Sequence, residues 1–204
     1  MKNALISLLC LLGSVAPLVA AADDYPLHTA VQQGKPSRVR AELSYYRINS
    51  RNAADLTPLM VAAMYDRSTS AGILIEAGAS VNERTSAYST TALMMAAMNG
   101  YHEVVEVLLR AGADIDARNI SGFTALMLAS QKGHAHVVRQ LLDAGADARL
   151  LDASNRSALT HAANDEVRYI LEAATTSSGS AAHTPAPELQ IPECEPNKHF
   201  PLEF

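Results

Sequence analysis

Tryptophan is absent from the 204-residue chain, and its aromatics are seven tyrosines and three phenylalanines. An aromatic-rich core is excluded, so aliphatic side chains and alanine must fill the interior. Two cysteines are too few for a disulfide framework or a four-cysteine zinc site. Charge is scarce as well: 18% of residues are Asp, Glu, Lys or Arg, against about 25% in an average globular chain. The balance is acidic, with a formal net charge of −5. A nucleic-acid binder usually carries a basic patch or domain, so nucleic acid is not an expected partner. Apolar residues, by contrast, make up 49% of the chain. At this length they suffice for one folded domain with tails.

Residues 1–22 read MKNALISLLCLLGSVAPLVAAA. Lys2 gives a short positive start, an apolar run follows from Ala4 to about Ala16, and Ala20 and Ala22 place small residues as in an A-x-A cleavage site. This order is that of a secretory signal peptide. A membrane span needs roughly 20 apolar residues, and Gly13, Ser14 and Pro17 interrupt this run. Lipoprotein processing is excluded because Cys10 lies inside the apolar stretch, preceded by Leu9. The expected compartment is the bacterial periplasm, with no stable membrane insertion after cleavage. Removal of the segment leaves one cysteine, Cys194, in the C-terminal tail.

Self-similarity organises the middle of the chain. Thr57-Pro-Leu-Met-Val-Ala-Ala leads to Ala77-Gly78-Ala79, Thr91-Ala-Leu-Met-Met-Ala-Ala to Ala111-Gly112-Ala113, and Thr124-Ala-Leu-Met-Leu-Ala-Ser to Ala144-Gly145-Ala146. The threonine-to-glycine spacing is the same in each copy. The step from Thr57 to Thr91 is one position longer than the step from Thr91 to Thr124. Weaker copies flank them, Tyr25-Pro-Leu-His-Thr-Ala leading to Gly34 and Ser157-Ala-Leu-Thr-His-Ala-Ala leading to Glu172. Each unit predicts two helices. A threonine hydroxyl caps the first, and Pro26 and Pro58 suit its first turn. Gly34, Gly100 and Gly133 end it. The second helix carries Val104, Val105, Leu108 and Leu109, or Val137, Val138, Leu141 and Leu142, along one face. Gly78, Gly112 and Gly145 suit the left-handed conformation that closes a helix, and a polar link through Asn82, Asp116 or Asp152 follows.

This pattern resembles the ankyrin repeat, whose core reads T-P-L-H-x-A-A, then G-H, V-V, L-L and G-A-D. The resemblance covers residues 25–174, and the stretch YHEVVEVLLRAGADIDA from Tyr101 to Ala117 is a near-complete match. It implies an all-α solenoid of about five helix–turn–helix repeats with protruding loops, each burying its apolar face against its neighbours. The repeats fall near 25–52, 53–85, 86–118, 119–151 and 152–174, within a domain spanning 23–174. The chain departs from the family in several places. The histidine of T-P-L-H survives only at His28, replaced by Met60, Met94 and Met127 and by Thr160. Asp66 stands in place of the inter-helix glycine in the second repeat. Ser70 and Ala71 replace its paired valines, so a looser second repeat is expected. The fifth copy is shortened between Asn164 and Glu166, as a terminal cap would be.

From Thr175 the composition changes, with five of the nine prolines in residues 175–204. This reads as a flexible, Pro-rich tail, in which Ile191, Phe200, Leu202 and Phe204 are the side chains able to dock. Catalytic constellations are not apparent. His102-Glu103-Val-Val-Glu106 has Glu where H-E-x-x-H needs its second His, and His134 and His136 lie two apart, off a common helical face. G-x-S-x-G, Walker A and G-x-G-x-x-G patterns are absent. No catalytic, cofactor or metal site is expected, and the chain is read as a monomer without enzymatic activity.

The resemblance implies that function lies in binding a protein, as an adaptor, accessory or immunity protein for a folded partner. The alternatives are an envelope structural factor tethered by the tail, and an enzyme built on the scaffold. The variable positions that ankyrin domains commonly use carry over to Leu56, Tyr88, Ile120, Phe123 and Arg156 in the loops. At the ends of the first helices they fall on Gln32, Gln33, Met64, Tyr65, Met98, Asn99, Gln131 and Lys132. Tyr65, Tyr88, Met98 and Phe123 are expected to anchor one continuous surface, rimmed by Gln131, Lys132 and Arg156. The exported chain is expected to begin within a residue or two of Asp23. N-terminal sequencing checks this, and a mature protein retaining Met1 would overturn it.

Overall fold

The computed structural model describes residues 25–43 and 48–177. The signal segment, Cys10, Cys194 and the tail beyond Ser177 lie outside the described residues. Helices α1 (Pro26–Gln32) and α2 (Pro36–Glu42) form the first repeat, and α3 (Pro58–Met64) and α4 (Ser68–Glu76) the second. The third comprises α5 (Ala92–Asn99) and α6 (His102–Arg110), and the fourth α7 (Ala125–Lys132) and α8 (Ala135–Asp143). Helix α9 (Asp165–Ser177) ends the stack, and no strand occurs among the described residues.

The starts of the central repeats follow from one side chain. The hydroxyls of Thr57, Thr91 and Thr124 accept the N–H groups of Met60, Met94 and Met127, each at 3.3 Å. Each hydroxyl thereby satisfies an amide that the new helix leaves without a partner. These first helices are apolar all round, because each lies between two others. Residues 92–97 of α5 and 125–130 of α7 are buried throughout. The second helices are buried on one face alone. In α6, Val104, Val105 and Leu108 are buried while Glu103, Glu106 and Arg110 are exposed.

The three methionines in the histidine position, Met60, Met94 and Met127, are each 1% exposed. An unbranched thioether fills the space between stacked helices without a polar atom to satisfy. His28 keeps the polar role. Its Nε2 lies 2.9 Å from the Leu56 carbonyl and 3.1 Å from that of Ser50, which ties the first repeat to the loop of the second. Burial lowers the imidazole from its usual pKa, while the two carbonyls pull it upward.

The turns between paired helices show why Asp66 is tolerated. The backbone is left-handed at Gly100 (φ 78°) and Gly133 (φ 77°), and Asp66 adopts the same region at φ 56°. Aspartate enters it more readily than most side-chain-bearing residues. At Gly100 there is a second constraint. A β-carbon there would lie 2.7 Å from His134 Nδ1. Ser70 and Ala71 are both buried within α4.

The fifth repeat departs from the helix–turn–helix expectation. Residues 158–161 form a turn closed by the His161 N–H on the Ala158 carbonyl (3.1 Å), not a first helix. The shortened link leaves no room for another helical turn. Ala163 N–H goes directly to the Ser130 carbonyl (3.0 Å), and Asn164 Oδ1 accepts from Val167 N–H (2.9 Å) at the start of α9. Helix α9 is longer than α8 and runs past Thr175 into the segment that composition assigned to the tail.

Leu108 is fully buried between repeats. Leu108→Ala is expected to cost about 2–5 kcal/mol in urea unfolding. A loss below about half a kcal/mol would show that the site collapses around the deletion.

Candidate interaction surface

The loops leading into the first helices share a plan. Asn52 Oδ1 accepts the N–H groups of Ala54 (2.9 Å) and Leu56 (3.1 Å). Asn119 Oδ1 accepts those of Ser121 (3.0 Å) and Phe123 (2.9 Å), and Asp152 Oδ1 those of Ser154 (2.8 Å) and Arg156 (3.0 Å). A short polar side chain thus closes each turn. The third loop is different. Asn52 N–H donates to the Leu56 carbonyl and Asn119 N–H to that of Phe123, both at 3.0 Å. The equivalent bond of the third loop runs from Thr85 N–H to the Thr90 carbonyl, also at 3.0 Å, and encloses one more position. The longer step from Thr57 to Thr91 is therefore an insertion in this loop, which carries Tyr88.

Neighbouring loops are fastened edge to edge. Ile120 N–H donates to the Tyr88 carbonyl (3.1 Å), and Ala153 N–H to that of Ser121 (3.0 Å). An arginine series runs beside these bonds. Arg51 Nη2 donates to the carbonyl of Arg84 (2.9 Å), Arg84 Nη1 to that of Arg118 (2.8 Å), and Arg118 to that of Leu151. Each guanidinium reads the main chain of the equivalent residue one repeat further on. Leucine takes the arginine's place at position 151, and the series stops there. Arg51 also pairs with Asp55 (2.9 Å) and Glu83 (2.7 Å). The sequence held the periodic arginines, but their acceptors are carbonyls, which no side-chain pattern marks.

The residues expected to bind a partner fall into two rows and one correction. Leu56 is corrected: it is 6% exposed, and it belongs to the core beneath its loop. Its N–H bond to Asn52 and the His28 contact on its carbonyl draw it inward. The loop row holds Tyr88, half-buried, and Ile120, 61% exposed. It also holds Phe123 and Arg156. Phe123 is half-buried, with its ring 4.8 Å from that of His161. Arg156 is exposed and paired with Asp152 at 3.1 Å. The second row lies at the opposite end of the first helices. There Met64, Tyr65 and Met98 are half-buried against the core, and Asn99 gives its amide N–H to the Met95 carbonyl (2.9 Å). Gln32 is half-buried, and Gln33, Gln131 and Lys132 are exposed. Helices of seven or eight residues separate the rows by about 10–12 Å. Between them Val61, Met95 and Leu128 are each at most 9% exposed. The two rows thus flank a floor of nearly buried apolar side chains. Leu151, 44% exposed and beside the loop row, falls outside the set expected from sequence; the equivalent Arg84 and Arg118 are exposed as well.

The last loop contains a buried charge. Asp152 is 4% exposed, accepts from His161 Nε2 at 2.9 Å, and also faces Arg156. Burial opposes its ionised form. The Arg156 N–H, the His161 ring, the Ser154 N–H and the Arg156 charge outweigh it and hold the carboxyl well below the usual aspartate range. Among the described residues, no three His, Cys, Asp or Glu side chains are placed to share a metal ion. No helix among them is long and apolar enough to cross a membrane.

The family model for ankyrin repeats, described as three copies, matches residues 27–119 and 93–179. The chain belongs to the ankyrin-repeat family. No curated protein matches it. Ankyrin repeats in general mediate protein–protein interaction and are typically non-enzymatic scaffolds. In this ankyrin array the loops and turns described above meet solvent, as do the outer faces of the second helices.

A carboxylate held below its ordinary value in the folded state contributes stability at pH above that value, and the contribution is lost as pH falls through and below it. Asp152→Asn is therefore expected to be less stable than wild type at pH 7. It should lose less further stability between about pH 5 and pH 3, the range in which an ordinary aspartate begins to protonate. Parallel acid profiles of the urea midpoint would show that Asp152 makes no such contribution.

Proposed function

We propose that this ankyrin array is exported to the periplasm and binds a folded protein there, as an adaptor, accessory or immunity protein. The observation that carries the reading is the loop row. Ile120 and Leu151 are two of the three large apolar side chains exposed among the described residues, and they sit on successive loops beside Tyr88. Scattered exposed apolar residues are ordinary. A series placed on consecutive loops of an interaction fold supports a docking role. Export rests on the order of residues 1–22. The Met64, Tyr65 and Met98 ridge supplies adaptable apolar contacts, with Gln131, Lys132 and Arg156 as a polar rim.

Affinity purification from the periplasm, followed by mass spectrometry, identifies the partner. Tyr88→Ala and Ile120→Ala are then expected to weaken binding by about 1–3 kcal/mol each while leaving the urea midpoint nearly unchanged. Phe123→Ala is expected to lower the midpoint, because its ring packs on His161 and the core. If Tyr88→Ala or Ile120→Ala lowers the midpoint while affinity per folded molecule stays constant, the loop row is packing and the assignment fails.

A further inference from the structure

The linear spacing of the histidines argues against a metal site, because His134 and His136 lie two positions apart. The fold pairs them differently. His134 Nε2 lies 3.1 Å from the Met98 carbonyl and belongs to the inter-repeat turn. His136 instead meets His102 of the preceding repeat, which lies one place nearer the start of its helix. Their ring centroids are 4.9 Å apart, with planes inclined at 79°. His102 begins α6 and His136 is the second residue of α8, so the pair bridges the second helices of repeats three and four. Both side chains are exposed.

Beside this pair lies an unpaired acceptor. Gln140 is one turn beyond His136 and on the same helix face. Its Nε2 donates to the backbone carbonyl of His102 (3.1 Å), which pins α8 to the start of α6. Its Oε1 is buried and has no hydrogen-bond partner among the described residues.

We propose that His102 and His136 form a two-imidazole site for a divalent transition-metal ion of the zinc or copper(II) class. Imidazole suits these ions. With metal–nitrogen bonds of about 2.0–2.1 Å, two imidazoles sharing one ion have centroids about 4.5 Å apart at a right angle and about 5.2 Å apart at the tetrahedral angle. The observed separation lies between these values, so the helices need not move; ligation turns the two exposed rings out of their edge-to-face contact until a nitrogen of each faces the ion. Two protein ligands leave the remaining positions to water, so the site is exchangeable, unlike a closed structural zinc site. Nearby charges are already engaged: Glu106 pairs with Arg110, and Arg139 with Glu166. Gln140 Oε1 is buried and stays outside the coordination sphere; the amide N–H bond of Gln140 to the His102 carbonyl is what holds the two helices, and with them the two rings, at this spacing. The ion would clip repeat three to repeat four at the start of the second helices, just past the turns that carry Met98 and Lys132.

The test uses the full mature chain, titrated with Zn²⁺ and separately with Cu²⁺. Calorimetry reads the affinity, and the urea midpoint is measured with and without metal. His183, His199 and Cys194 of the tail are removed together in a background variant, so that they cannot supply the signal. In that background, one ion is expected to bind and to raise the midpoint. His102→Phe and His136→Phe retain an edge-to-face ring contact without a ligating nitrogen. Each is expected to weaken binding at least tenfold and to abolish the metal-induced shift, while the metal-free midpoint stays close to that of the parent. Binding that vanishes in the tail background, or that survives both phenylalanine variants, would overturn the proposal. So would the absence of any midpoint shift at saturating metal.

Discussion

The contact between one first helix and the next is the constraint on which the remaining structure depends. Ala62, Ala63, Ala96, Ala97 and Ala129 are fully buried, and small side chains at these places let successive helices approach closely. Met60, Met94 and Met127 fill what the alanines leave open. No repeat has an apolar core of its own, so neighbours supply the burial. The polar bonds between repeats are mostly exposed, and exposed ion pairs contribute about 0–1 kcal/mol each. They set register more than stability. If α5 and α7 did not pack, the arginines and the loop amides would have nothing to align.

Much of this was legible in sequence because every unit solves the same burial problem with the same residues. Thr57, Thr91 and Thr124 mark helix starts, Gly100 and Gly133 mark helix ends, and the paired valines mark the buried face of a second helix. Asp66 was visible as a departure, and its left-handed backbone shows that the turn itself is kept. The candidate surface was less legible. Its positions followed from the family resemblance, but exposure is decided by contacts between repeats. Leu56 is withdrawn from the surface by His28, which belongs to the preceding repeat. Phe123 is partly covered by His161, which belongs to the following one. The extra residue between Thr57 and Thr91 could be counted, yet only the hydrogen bonds of the 85–90 loop locate it.

The two ends of the array resolve the stacking problem differently. At the start, His28 replaces the thioether packing of the central repeats with hydrogen bonds to two carbonyls. At the far end, α9 turns Asp165, Glu166, Arg168 and Glu172 outward. A polar outer face is what a terminal repeat needs in order to stay soluble. Tyr169, 73% exposed, is the exception on that helix.

The arginine series has an evolutionary consequence. Arg51, Arg84 and Arg118 each address a backbone carbonyl, a group that every amino acid supplies. The acceptor is arginine in two cases and leucine in the third, so the rung makes no demand on the identity of its neighbour. A unit copied into the middle of the gene, or deleted from it, would meet compatible edges on both sides without a compensating substitution. The number of units can therefore drift by whole steps, while the loop side chains diversify independently.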